Sequence, residues 1–501
     1  MQHSRSRLGS RPTTVRVLWL AILAIASALA LTACGGGAAE VSGSVRDGAR
    51  FAPATAPAFV EFDTDVHGAQ WRQADALLDK FPGRADLLES FRSELEDNGL
   101  NWERDIRPAL GPAFYTVWLD FANDGDDVVG YTKPADRTLF SRLLDKQDDP
   151  KLVHREIDGW TVLAESEALL DRFEQARSDG SLGEEESFRD ALEPLPDSTL
   201  VRAYVSGRDV QRRLDEAFKE SGSDALTQSF GKLESLSAAL TAEGNGVLLA
   251  ADAAAESTPD LHQFKPELPD SVPSGALLYV SFGDVKEQLD RGLSSIEDSV
   301  AGFAQQRAAA EAALDLSFDK DIFPLFGKEG GFAVYRGTSS TPGFALYLRV
   351  DDEDAARKVV DRLGAIAQLG EAATTRTFTL EGAEVREIDF TDTDITLYAT
   401  VSHGVATLTN SEAVLRDSLD GGQSLADDPA YKSAGDAAEV PDEVTGLVYI
   451  DLHDGIPAFY DATEGTIPAD VRENVDPLGA VVVYGRQDGD HQRLSGFLQI
   501  H

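Results

Sequence analysis

The sequence predicts an α+β protein built from two tandem homologous domains, each a largely antiparallel sheet with helices packed on one face. Three observations lead there. Apolar or alternating runs of strand length are interleaved with amphipathic helical stretches, of which Asp136 to Lys146 and Asp352 to Leu363 are the clearest, each opening on an acid. Connections as short as Phe121 to Val128 leave no room for a crossover helix, so neighbouring strands run antiparallel. The second half of the chain also repeats the first in order.

The chain opens with Arg5, Arg7, Arg11 and Arg16 and no acidic residue, a basic segment of the kind that stays behind during export. Val17 to Ala33 is apolar and uncharged, slightly long for a signal-peptide core and barely long enough to span a bilayer. Length alone leaves a cleaved signal and a membrane anchor both open. Leu31-Thr32-Ala33-Cys34, followed by Gly35, resembles the lipobox of bacterial lipoproteins. That resemblance implies recognition of Leu31, Thr32 and Ala33, a diacylglyceryl group on the Cys34 thiol, and cleavage just before it. Residues 1–33 are then a signal peptide, and the body is extracytoplasmic, held to the membrane through lipidated Cys34. Two acyl chains, at roughly 0.8 kcal/mol per buried methylene, anchor a protein stably where one binds marginally. Cys34 is the only cysteine, which excludes an internal disulfide and a multi-cysteine metal site.

Residues 34–52 are rich in Gly, Ala and Ser and read as a flexible tether, about 18 residues spanning on the order of 25 Å. The first copy is expected over 53–258 and the second over 273–501, with 259–272 as the linker. Pro53 to Phe62 matches Pro273 to Phe282, and Leu100-Asn-Trp-Glu-Arg-Asp-Ile106 matches Leu316-Ser-Phe-Asp-Lys-Asp-Ile322. Arg155-Glu-Ile-Asp158 recurs as Arg386-Glu-Ile-Asp389, and Ser166-Glu-Ala-Leu-Leu170 as Ser411-Glu-Ala-Val-Leu415. Ser181-Leu182 answers Ser424-Leu425, Pro196-Asp197 answers Pro441-Asp442, and closing hairpin turns stand at Glu243 to Gly246 and Gln487 to Asp490. An ordered series of this length argues for duplication of a whole domain, with loop insertions accounting for the drift in spacing. A lipobox, a tether and two copies carrying a VEF or VSF strand, an Arg/Lys-Asp-Ile segment and a REID strand together resemble an uncharacterised family of bacterial envelope lipoproteins, catalogued as domain of unknown function thirty-three fifty-two. The resemblance implies location and architecture and carries over no active residue.

The formal charge is −42, and removing residues 1–33 takes four arginines and no acids, which gives −46. Such a field repels nucleic acid and anionic headgroups, so no nucleic-acid partner is expected. The acids alternate with arginines, as on a solvated surface.

Local motifs for chemistry are few. The histidines left after the signal (His67, His154, His262, His403, His453, His491 and His501) show no ligand spacing, and H-E-x-x-H, G-x-S-x-G and phosphate-loop patterns are absent. S-x-x-K occurs at Ser229 to Lys232 and Ser317 to Lys320, but no K-T-G accompanies it. Asp124 and Asp126 in one acidic loop, and Asp389, Asp392 and Asp394 in another, are candidate calcium ligands, against which stands the ordinary use of Asx-Gly clusters in turns. Trp71, Trp102, Trp118 and Trp160 suit a pocket wall or a core. The expectation is a cofactor-free, non-enzymatic envelope protein that binds a ligand or another envelope protein in or near an interdomain groove, or serves structurally. The competing class is an extracytoplasmic hydrolase whose active residues come from distant segments.

Overall fold

The structure, a computed structural model, describes residues 43–121, 125–146, 152–212, 232–256, 261–284, 302–314, 329–337, 341–369, 373–391, 395–463 and 467–501, with isolated positions between 286 and 317. The chain forms a large antiparallel sheet architecture with helices packed on one face. It separates into two compact units: the first runs to Arg213 and resumes over Leu233–Ala254, and the second takes the chain from Ala255 to His501.

The first unit begins with α1 (Gly43–Phe51), then β1 (Ala58–Asp63), α2 (Ala69–Leu78), α3 (Arg84–Asp97) and a turn of π-helix (Trp102–Ile106). There follow β2 (Ala113–Trp118), β3 (Val128–Thr132), α4 (Arg137–Lys146), β4 (Val153–Ile157), β5 (Trp160–Ala164), α5 (Glu167–Arg177), α6 (Glu186–Leu192), β6 (Val201–Ser206), β7 (Lys232–Glu243) and β8 (Gly246–Glu256). Strands pair in the order β4-β5-β3-β2-β1-β6-β7, every pair antiparallel. Local sequence explains the helix starts. Ser166 accepts the Leu169 N–H at 3.2 Å to cap α5, and Asp136 accepts the Leu139 N–H at 3.0 Å ahead of α4.

Helices α1, α5 and α6 cover one face over an aromatic core of Phe51, Phe59, Tyr115, Tyr131, Trp160, Phe173, Phe188 and Tyr204. Phe51 stacks on Trp160 with ring centroids 4.8 Å apart, and Phe188 meets Phe59 edge-on. A smaller cluster joins Phe62 and Phe114 to Phe140 of α4. Residues 43–52, expected within the flexible tether, thus include a helix, Gly43–Phe51, and contribute Ala49, Phe51 and Ala52 to the core. Their Gly and Ala content reads as linker, but small residues also let a helix lie close: Gly48 abuts the Tyr115 ring, and Ala49, Phe51 and Ala52 are buried.

The second unit contains β9 (Ala276–Gly283), α7 (Phe303–Leu314), β10 (Glu329–Tyr335), β11 (Gly343–Arg349), α8 (Glu353–Leu369), β12 (Ala373–Leu380), β13 (Ala383–Phe390), β14 (Thr396–Ser402) and β15 (Val405–Thr409). It continues with α9 (Glu412–Asp420), α10 (Pro429–Ala437), β16 (Gly446–Asp451), α11 (Leu452–Ala462), α12 (Ala469–Val475), β17 (Leu478–Asp488) and β18 (His491–Ile500). The antiparallel order is β12-β13-β14-β15-β11-β10-β9-β16-β17-β18. Its core is tyrosine-rich: Tyr431 of α10 packs edge-on against Tyr279 and Tyr449, and Tyr335 and Tyr347 share a hydroxyl contact of 3.2 Å.

Without the β12–β13 hairpin, β14-β15-β11-β10-β9-β16-β17 runs in the same order as the seven strands β4-β5-β3-β2-β1-β6-β7 of the first unit. The match reassigns one sequence identity. Arg155 to Asp158 lies on β4 and its turn, whereas Arg386 to Asp389 lies on β13, and the strand that pairs as β4 does is β14. Arg155 bridges Glu167, Asp171 and Glu174 along one side of α5, while Arg386 reaches Asp361 of α8. The hairpin that follows β4 turns at Asp158 and Gly159 with φ of 50° and 83°, and the one that follows β14 turns at His403 and Gly404 with 53° and 74°. The extra hairpin of the second unit is why the repeated tetrapeptide falls on strands of different rank.

Candidate functional site

At the end of β1 the chain folds around the Asp63 carboxylate. Asp65 N–H donates to Asp63 Oδ1 at 2.9 Å, His67 N–H donates to Asp65 Oδ1 at 3.1 Å, and Trp71 Nε1 donates to the Asp63 carbonyl at 2.9 Å. The Thr64 hydroxyl donates to the Gly111 carbonyl at 2.8 Å, and Thr64 N–H donates to that of Pro112 at 3.1 Å, which fastens the loop to the segment entering β2. Gly111 lies against the Lys133 carbonyl, where a Cβ would collide.

The facing wall comes from the π-helical turn. Asn101 caps it by accepting the Arg104 N–H at 3.0 Å, and Asp105 returns the bond by accepting the Asn101 N–H, also at 3.0 Å. Arg104 and Lys146 hold the Asp105 carboxyl well below the usual carboxylate range. The turn sets Glu103 and Arg107 on one side: Arg107 Nη1 donates to Glu103 at 2.7 Å, and its Nη2 lies 3.1 Å from His67 Nε2. Between loop and turn opens a cleft of about 520 Å³ with Thr64, Asp65, His67, Glu103 and Arg107 as its charged and polar groups and Val66 and Leu110 among its apolar ones. In the second unit a cleft of about 400 Å³ is lined by Leu261, His262, Gln263, Glu443, Gln487 and Gly489.

Burial pushes the Asp63 carboxyl up to about 7, opposed by the Asp65 N–H and reinforced by repulsion from Asp65 and Glu61. The unfolded chain loses this proton near 3.8, so between the two values the folded state binds the extra proton. Its stabilising contribution is full below 3.8 and lost as pH rises through about 7. Asp63→Asn is expected to flatten this slope and to stabilise the first unit at pH 8 by on the order of 2–4 kcal/mol. Urea unfolding at pH 5 and pH 8, followed by tryptophan fluorescence, checks it; an unchanged slope in the variant would remove Asp63 from the account.

Glu61, one turn of the pleat earlier, is buried opposite its cross-strand partner Arg202, at 5% and 3% exposure, with a closest approach of 3.9 Å. Arg202 also donates to the carbonyls of Pro196 and Asp197, while its Nε has no hydrogen-bond partner among the described residues. Burial lowers its pKa, with Glu61 and Asp197 opposing. In β9 and β16 the paired positions hold Ser281 and Leu447, and Ser281 donates instead to buried Glu329 of β10 at 2.9 Å.

Of the residues singled out by sequence, Leu31, Thr32, Ala33, Cys34, Asp124, Asp392 and Asp394 lie outside the described residues, as do Ser229, Lys320 and most of 316–322. Asp126 is exposed in the turn before β3, where its carbonyl accepts the Val128 N–H at 2.8 Å, and its neighbour Asp127 is paired with Arg172 at 2.6 Å. Asp389 accepts from the Thr396 hydroxyl at 3.1 Å. Among the described residues no three His, Cys, Asp or Glu side chains are grouped to hold a metal ion. Trp160 lies in the core and Trp102 packs edge-on against Phe91. His67 and Arg107 carry no spacing signal, because 40 residues separate them and only the fold brings them together.

No helix among the described residues is long and apolar enough to cross a membrane. No curated protein sequence matches this chain. Crystal forms I, III and IV of TP0453 are similar to it at 11%, 10% and 13% identity and TM-scores of 0.22, 0.23 and 0.24, values too low to assign a fold. They cover 43%, 43% and 47% of this chain and 81%, 82% and 94% of their own. The model of the family described as protein of unknown function DUF3352 matches residues 145–463, more than half of the sequence, and the chain therefore belongs to that family.

Proposed function

We propose that the chain is a membrane-anchored extracytoplasmic lipoprotein, made of two homologous α+β domains, that works by binding and not by catalysis. The order of basic segment, apolar core and Leu31-Thr32-Ala33-Cys34 supports the anchor. Homology of the domains is supported by contacts that recur at matched positions. Pro53 bridges Ser181 as Pro273 bridges Ser424, and Leu182 N–H donates to Ala52 as Leu425 N–H donates to Val272, at 3.0 and 2.7 Å. Ser166 and Ser411 cap matched helices.

One observation carries binding over catalysis: the groups in the first unit's cleft are already engaged with one another. Arg107 is bonded to Glu103 and lies against His67 Nε2, and the Thr64 hydroxyl is committed to a carbonyl. His67 Nε2 faces a guanidinium that can only donate, so its lone pair is already engaged, and the one hydroxyl among the described lining residues, that of Thr64, is committed to the Gly111 carbonyl. Such a cleft is suited to holding a polar ligand.

Two experiments test this. Cys34→Ala is expected to abolish incorporation of labelled fatty acid and to leave the leader uncut or the protein released; unchanged labelling would sink the anchor. Mass spectrometry of the purified native protein is expected to find a co-purifying ligand that Arg107→Gln displaces. Turnover of an ester or amide substrate that His67→Gln abolishes would instead establish the hydrolase class.

A further inference from the structure

The sheet of the second unit ends in a strand that the first unit lacks. Among the described residues β12 pairs with β13 alone, from Ala373↔Phe390 to Leu380↔Ala383 and without a bulge. Its other side is an open edge, a row of backbone N–H and C=O groups set to pair with another strand. Edges are ordinarily blunted by shortness, by lysine or proline, or by a bulge, and β12 has none of these. The first unit ends instead on β4, a shorter strand with His154, Arg155 and Glu156, where Arg155 is held by Glu167, Asp171 and Glu174. In β12 threonine stands at 374, 375, 377 and 379, and the single charge is Arg376, whose Nε and Nη2 donate to the Glu387 carboxylate of β13, both at 2.7 Å. The strand holds no acid, in a chain of formal charge −42.

We infer that β12 is the interface for a second copy of this chain, the two strands pairing antiparallel about a two-fold axis normal to the sheet. Such an axis keeps equivalent faces on one side, and directly opposed residues share a face, so the axis passes through one residue set against itself. Only axes at Arg376 or Thr377, the two middle residues, keep nearly the whole strand paired. The first sets two arginines directly against each other, which is unfavourable. The second sets Thr377 against Thr377, Thr374 against Leu380, and Arg376 against Phe378 of the other copy. The Arg376 guanidinium already lies 5.3 Å from its own Phe378 ring centroid, and the partner ring adds a second aromatic face. The acids nearest this edge are largely engaged: Glu387 with Arg376, Glu381 of the following turn with Arg416 at 3.3 Å, and Asp389 with the Thr396 hydroxyl. Glu384 stands opposite Thr379 on β13, one strand back from the edge. Two copies of β12 therefore meet without carboxylates in the contact, which an acidic partner surface would bring.

The test oxidises the full-length chain carrying Thr377→Cys, and separately Thr379→Cys, with copper phenanthroline in mild detergent, and reads the disulfide-linked dimer on a non-reducing gel. Both positions are exposed. Opposed residues of an antiparallel pair have Cα atoms about 4.5–5.5 Å apart, within reach of a disulfide, whereas the two copies of residue 379 would stand about 14 Å apart along the strands. Thr377→Cys is therefore expected to cross-link at least about tenfold faster than Thr379→Cys. The unsubstituted chain gives the background from Cys34, its only cysteine. In analytical ultracentrifugation that chain is expected to dimerise, with a dissociation constant about fivefold or more higher in Thr377→Glu. This change faces Arg386 within its own sheet but sets two carboxylates against each other at the axis. Added salt is expected to tighten the dimer, because the two acidic bodies repel. A monomer, cross-linking of Thr379→Cys as fast as that of Thr377→Cys, or a dimer indifferent to Thr377→Glu overturns the interface. A disulfide from Thr377→Cys to a different protein in whole cells, in place of the dimer, assigns the edge to another partner and overturns the second copy.

Discussion

Arg202→Leu is expected to destabilise the first unit by roughly 3–5 kcal/mol, and Glu61→Ser by a similar amount, because each removes one member of a buried pair of opposite charges and leaves the other buried. The double variant is expected to recover most of that loss. Desolvation of both ions weighs against the pair in the wild type, and burial already lowers the Arg202 pKa. The second unit supplies a natural control, since Ser281 and Leu447 occupy the same cross-strand pair between β9 and β16 without an ion pair. Urea unfolding followed by tryptophan fluorescence reads this unit alone, because Trp71, Trp102, Trp118 and Trp160 all lie in it and no tryptophan follows them. Additive losses in the double variant would show that the two side chains are not coupled.

Phe51→Ala carries the second large effect, an expected loss of roughly 3–5 kcal/mol. Phe51 touches Trp160, Tyr131 and Phe173, and the Arg177 guanidinium lies 3.7 Å from its ring centroid on the outer side. Were residues 43–52 merely a tether, the change would be silent in urea unfolding. Gly48→Ala separates packing from helix propensity. Alanine favours a helix by about 1 kcal/mol over glycine, yet its Cβ would enter the Tyr115 ring, so a net loss of about 1–3 kcal/mol is expected. A stabilised Gly48→Ala variant would mean that α1 lies farther from the sheet.

Much of the fold is legible in particular residues. Asp136 and Asp352 mark the starts of α4 and α8, and Ser166 and Ser411 those of α5 and α9, because a cap acts within one turn of its own position. The glycine turns at Gly244 and Gly489 fall between the last two strands of each series for the same local reason. The cleft was not legible. His67 and Arg107 have ordinary neighbours, and their juxtaposition depends on a loop fastened by Thr64 and a turn capped by Asn101.

By itself the sequence carried the expectation of a leader and a lipobox at Cys34, and it determined most element types, the acidic field and the ordered self-match. All of these rest on composition or on spacing within a few residues. Only the tertiary structure decided that α1 belongs to the core, that the REID tetrapeptides stand on strands of different rank, and that His67 meets Arg107 at 3.1 Å. The physical reason is the same each time. Burial of a Gly- and Ala-rich helix, strand order across a sheet and contact over 40 residues are set by long-range packing, on which local periodicity is silent.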